Sequence, residues 1–130
     1  DQLTEKNKKC YRAQCFESAR LIASHISLPS DMYSVSFQSR LGKGDWIKPY
    51  TDQVIERLIE RGVKKLAVVC PAFVADCLET LEEIQIRLKE DFVLKGGEDL
   101  KLVPALNSEA KWADALASFI TQQFAEQNQR

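Results

Sequence analysis

The chain has 130 residues, 45% of them apolar and 28% charged, with a formal net charge of −1, which suits a single domain built on a single core. Near-neutrality excludes a general binder of nucleic acid, whose basic surface must neutralise phosphates. No apolar run approaches the roughly 20 residues needed to span a bilayer, so the expectation is a soluble chain that at most touches a membrane surface.

Leu3 to Ile26 reads as a long helix, because Tyr11, Cys15, Ala19, Ile22 and Ile26 recur at helical steps with Lys and Arg between them. Thr4 can cap its start, and Pro29 and Ser30 end it. Tyr33 to Gln38 alternates Val35 and Phe37 with serines, a strand pattern. The SRLGKGDWIKP stretch from Ser39 to Pro49 suits neither a helix interior nor a central strand. It reads as a long loop, and loops of that length are often functional.

Thr51 to Arg61 is a compact amphipathic helix with Val54, Leu58 and Ile55 inward, stopped by Gly62. Leu66 to Cys70 is wholly apolar and β-branched in its middle, the look of a strand buried on both faces of a parallel sheet. Pro71 stops it. From Asp76 a helical rhythm returns with Leu78, Leu81 and Ile84 on the apolar side. Asp76, Glu79 and Glu83 fall at offsets of zero, three and seven, which a helix of 3.6 residues per turn stacks along one face. That acidic row begins at the carboxyl end of a strand, where open α/β sheets bind ligands. By itself the row also fits a solvated helix face.

Phe92 to Leu100 carries Gly96 and Gly97 and reads as a turn region, Leu102 to Leu106 as a third apolar strand interrupted by Pro104. Ser108 to about Gln123 forms a last helix with Trp112, Leu116, Phe119 and Ile120 on one side, and the tail frays. The order α, β, α, β, α, β, α favours a three-layer α/β domain: a small parallel sheet with right-handed crossovers, helices on both faces, and its first strand missing. Asp1 leads the chain and Met32 is the sole methionine, so a piece of a longer protein is expected. Cys10, Cys15, Cys70 and Cys77 lack the paired spacing of a zinc site and are read as free thiols. His25 alone leaves little scope for a histidine-built metal site.

Three segments together resemble the C-terminal half of ferrochelatase, in that family's order and spacing. They are SFQSRLGKGDWIKPYT (Ser36–Thr51), VVCPAFVADCLETLEEI (Val68–Ile84) and GGEDLKLVPALN (Gly96–Asn107), and the likeness extends from about Tyr11 to Trp112. The resemblance implies a Rossmann-like chelatase domain over residues 1–130. It implies an enzyme that inserts ferrous iron into protoporphyrin IX, the last step of protoheme synthesis. Glu79 then corresponds to the active-site glutamate, serving the iron site and proton handling. Asp76 and Glu83 correspond to the acidic row beside it. Ser39, Arg40 and Trp46 fall in the SR…W motif and Phe73 in the PAF motif, both lining the porphyrin site.

The family's catalytic histidine belongs to an upstream SxHG motif that this chain lacks, and His25 is not its equivalent. The 130-residue piece alone is therefore expected to be inactive. Its implied partners are protoporphyrin IX, ferrous iron as substrate and the N-terminal half of the same protein, with self-association of the piece through surface meant for that half. No prosthetic group is expected. Some family members hold a [2Fe–2S] cluster in a C-terminal extension, but Cys70 and Cys77 cannot supply four thiolates and the tail has no cysteine. The implied location is cytoplasmic and peripheral to the inner membrane, or the mitochondrial matrix in a eukaryote. A chelatase for another metal and tetrapyrrole, and a non-catalytic porphyrin-binding or structural half-domain, are the competing readings.

Overall fold

The computed structural model describes residues 2–39 and 44–127. Helix α1 (Tyr11–His25) is followed by α2 (Thr51–Glu60), strand β1 (Lys65–Val68), a long helical segment, strand β2 (Asp99–Leu102) and helix α5 (Ala110–Gln127). The helical segment has three parts: a short α3 (Leu78–Thr80), a π-helix (Leu81–Leu88) and α4 (Lys89–Leu94). β1 and β2 pair in parallel, Lys65 opposite Asp99 and Val68 opposite Leu102. Parallel neighbours need a crossover, and the helical segment supplies it. The fold class is α/β, as expected.

The core forms where α2 and the crossover helix meet the sheet. Ile55, Ile84, Phe92 and Leu100 are buried together, with Ile59, Leu66, Val68, Cys70, Leu88 and Leu102 packed around them. Ile55 is the inward residue of α2, while Val54 and Leu58 are half-buried. Gly62, at φ +83°, ends that helix with Val63 N–H on Leu58 O and Gly62 N–H on Ile59 O, the paired closure a left-handed residue permits. The same closure ends the crossover at Gly96, φ +104°, with Gly97 N–H on Phe92 O and Gly96 N–H on Val93 O. Gly97 then lies against the Phe92 ring, where a side chain would collide.

Several expectations are corrected. The first helix starts at Tyr11, not Leu3. Thr4 instead sits in a turn closed by its own N–H on Asn7 Oδ1 at 2.6 Å. The Tyr33–Gln38 strand reduces to one bridge, Phe37 with Tyr50, so among the described residues the sheet has two strands rather than three. Phe92 is the last core anchor of a helix that runs to Leu94, not part of a turn. The third strand lies earlier than expected, ending at Leu102, because Pro104 cannot donate to a ladder and Val103–Leu106 carries the chain into a loop.

Outside the core, three helical stretches keep apolar side chains in solvent, the crossover among them: Leu78 and Leu81, expected on its apolar side with Ile84, are exposed, as are Ile86 and Leu94. On α5, Leu116, Phe119, Ile120 and Phe124 are exposed, as are Leu21, Ile22 and Ile26 at the end of α1. All four cysteines are free thiols.

Candidate functional site

The loop leaving Phe37 reaches the carboxyl end of β1 and meets the crossover helix there. Its anchor is a backbone exchange: Phe37 N–H donates to Pro49 O at 2.9 Å, and Thr51 N–H donates to Phe37 O at 3.1 Å. This fixes Gln38 and Ser39 beside the helix. Gln38 Nε2 donates to the Glu79 carbonyl at 2.6 Å and lies 3.4 Å from Glu83 Oε2. On its other side, Cys70 Sγ donates to Gln38 Oε1 at 3.7 Å. Ser39 Oγ donates to Glu83 Oε2 at 2.6 Å, a short bond to a charged acceptor. Ser39 holds that contact at φ +59°, a left-handed backbone that non-glycine residues adopt at a cost.

The helix that receives these bonds changes register. After α3 its ladder runs π-helically for eight residues, and such insertions are rare and frequent at functional sites. The wider turn brings positions five apart into reach: Arg87 Nη2 pairs with Glu82 at 2.6 Å. The regular 3.6-residue stacking expected of the acidic row is therefore not formed: Asp76 precedes the helix, which starts at Leu78, Glu79 lies in α3, and Glu83 is aimed by the π segment.

Glu79 is half-buried. The Cys77 thiol beside it, followed by its own backbone N–H, holds its carboxyl below the usual glutamate range, so it is anionic at neutral pH. Cys70 goes the other way. Burial, then the proximity of Cys77 and Asp76, pushes its thiol up and keeps it protonated at neutral pH.

Asp76 is placed differently from the other two acids. Its carboxylate accepts from Asn107 Nδ2 at 2.9 Å, from Thr80 Oγ1 at 3.0 Å, and from the Ala105 N–H at 3.2 and 3.3 Å. Neutral donors thus surround it, Asn107 above all, and they hold its carboxyl below the usual aspartate range.

Of the remaining expected site residues, Trp46 is 40% exposed in its loop. Phe73 is half-buried in a turn closed by its N–H on Cys70 O at 3.0 Å. Arg40 lies outside the described residues. Glu83 comes together with Ser39, and Glu79 joins them through its backbone carbonyl on Gln38, whereas Trp46 and Phe73 stay outside that hydrogen-bonded set. His25 Nδ1 contacts Leu21 O at 2.9 Å at the end of α1, remote in role from the acids. Among the described residues no three His, Cys, Asp or Glu groups converge to hold a metal ion. The hollows along α5, near Ala117 and Thr121, and on the sheet near Lys65 and Lys101 do not include Glu79.

Gln38 and Asn107 are the two contributors the sequence reading passed over. Both lie inside quoted motifs, flanked by residues more suggestive of chemistry, and only their tertiary partners reveal them.

A model of the family described as ferrochelatase matches residues 1–124. The chain is 53% identical over 115 residues to a ferrochelatase of Coxiella burnetii, covering 88% of this chain and 32% of that protein. It is 50% identical over 120 residues to a ferrochelatase of Legionella pneumophila, covering 92% and 36% respectively. The chain thus spans about a third of the length of the curated relatives it matches.

Proposed function

The chain belongs to the ferrochelatase family, and we propose on that premise that it is the C-terminal portion of an enzyme inserting ferrous iron into protoporphyrin IX. The observation that supports this reading best is the clasp of Gln38 and Ser39 on the helix of Glu79 and Glu83, with Ser39 Oγ 2.6 Å from Glu83 Oε2. Two segments some 40 residues apart in the chain meet at the end of β1 where ligands of α/β sheets bind.

Metallation must strip water from a divalent ion and remove two pyrrole protons. Carboxylates bind such an ion through oxygen and release it readily. Glu79, whose carboxyl the Cys77 thiol holds below the usual glutamate range, is an anionic oxygen donor for the ion. Glu83, oriented by Ser39, is the second oxygen donor on the same helix. Asp76 opens the row, but its bonds to Asn107, Thr80 and Ala105 give it competing work. Ser39, Arg40, Trp46 and Phe73 are assigned to the porphyrin side. The proton acceptor is the histidine of an SxHG motif contributed by the rest of the protein, so the 130-residue chain alone is inactive.

Titrating protoporphyrin IX into the full-length protein and following the Soret band, then adding ferrous iron, tests the reading. Binding followed by heme formation is expected from the full-length protein, and binding at most from the isolated chain. A full-length protein that neither binds the porphyrin nor forms heme refutes it.

A further inference from the structure

Asn107 stands in the loop beyond β2, 31 residues from Asp76 in sequence, and its amide is used in both directions. Asp76 N–H donates to Asn107 Oδ1 at 2.9 Å, while Asn107 Nδ2 donates to Asp76 Oδ2 at 2.9 Å and to Ala105 O at 3.1 Å. Its own N–H donates to Val74 O at 2.9 Å. The residue does this at φ +48°, in the left-handed region where asparagine is among the few side chains commonly found. The other end of the connection is inside the protein. Asp76 Oδ1 accepts from Thr80 Oγ1 at 3.0 Å, Thr80 is 1% exposed, and its Oγ1 accepts from Cys77 N–H at 3.0 Å. Cys77 O accepts from Leu81 N–H at 2.8 Å, the bond that starts the helix. The chain Asn107–Asp76–Thr80–Cys77 therefore encloses the first turn, and Glu79 lies in the middle of it.

We propose that Asn107 is a positioning residue that, through Asp76 and Thr80, sets the starting turn of the acidic helix and so aims Glu79. Asp76 serves this clamp, and its carboxylate matters as an acceptor of hydrogen bonds. Glu79's first turn is only three residues long before the π register begins, so an aim set from outside the helix is needed to keep the carboxylate in place. The inference rests on the chelatase reading of Glu79.

The test uses the full-length protein with Asn107→Ala, Asp76→Asn and the exchange double variant Asp76→Asn/Asn107→Asp. The exchange keeps an amide facing a carboxylate with the roles reversed; it gives up the bond from position 107 to Ala105 O, while position 76 still offers one oxygen to Ala105 N–H and Thr80. Expected for Asn107→Ala is a fall in kcat of about 10- to 100-fold, the range a misplacement near 1 Å produces, with the KM for porphyrin within about twofold. Amide hydrogen exchange at Cys77 and Leu81 should quicken in the same variant. The exchange variant should recover kcat to within about threefold of wild type and restore that protection. Unaltered exchange at Cys77 and Leu81 in Asn107→Ala overturns the clamp. So does an exchange variant that regains protection but not kcat, since the charge at position 76 would then act directly. A wild-type protein that inserts no iron refutes the reading of Glu79, and the exchange data alone then decide whether the clamp exists.

Discussion

Replacing Gly97 by alanine tests how the acidic helix is seated on the sheet. A methyl at this position would stand 2.7 Å from Phe92 Cζ and closer still to Cδ1 and Cε1, where carbon atoms rest at about 3.5–4.0 Å. The ring must retreat by roughly 1 Å. It has no room, because Phe92 is fully buried against Ile55, Ile84 and Leu100. Overpacking of this kind costs about 1–3 kcal/mol, and a rigid ring places the cost toward the upper end. For a chain of this size each kcal/mol moves Tm by roughly 3–5 °C, so a fall of about 6–15 °C is expected by calorimetry. The double variant Gly97→Ala/Phe92→Leu separates the collision from other causes. Leucine gives up the ring carbons that collide, so the pair should couple favourably by about 1 kcal/mol or more in a double-mutant cycle. A Gly97→Ala protein with the wild-type Tm, or strict additivity with Phe92→Leu, would refute the packing argument.

Asp76 predicts a pH signature. Its folded pKa lies below the ordinary 3.8, chiefly through Asn107, so its contribution is complete above about pH 4 and is lost as pH falls through the folded value. Asp76→Asn should flatten the acid limb of stability against pH, and denaturation midpoints between pH 2 and 6 that stay parallel to wild type would contradict this. Ser39→Ala removes the bond to Glu83, a loss of about 1.5–3 kcal/mol for a hydrogen bond to a charged group. Ser39→Gly loses the same bond but relieves the left-handed backbone by about 1 kcal/mol, so the glycine variant should have the higher urea midpoint, and equal midpoints would count against strain at φ +59°. The exposed Leu116, Phe119, Ile120 and Phe124 on α5 should make the isolated 130-residue chain self-associate, and a strictly monomeric sizing profile over a wide concentration range would oppose that.

Local signals carried the helix around Ile55 and the stop at Gly62, since apolar spacing and a left-handed glycine act within a few residues. The apolar run at Leu66 likewise marked β1, though the strand alternates exposed and half-buried residues instead of being buried on both faces. The rhythm of Leu78, Leu81 and Ile84, of which only Ile84 is buried, marked the following helix. The π register was not legible: it buries Ile84 but leaves Leu81, expected on the same apolar side, in solvent, and only the Glu82–Arg87 pair at five residues hints at it. The Tyr33–Gln38 pattern alternates as a strand should, yet a strand exists only with neighbours to pair, and here one bridge at Phe37 is what pairing provides. Of the candidate site residues, Glu79 and Glu83 were singled out through their motif, whereas Gln38 and Asn107 act through partners 41 and 31 residues away that no local pattern encodes.

The rate of iron insertion into protoporphyrin IX by full-length Glu79→Gln protein, measured beside its Tm, addresses the role of Glu79 most directly. Glutamine keeps the size of the side chain and removes its charge. The account predicts a kcat lowered by about 100-fold or more with Tm within about 2 °C of wild type. Insertion at the wild-type rate by a folded Glu79→Gln protein would contradict it.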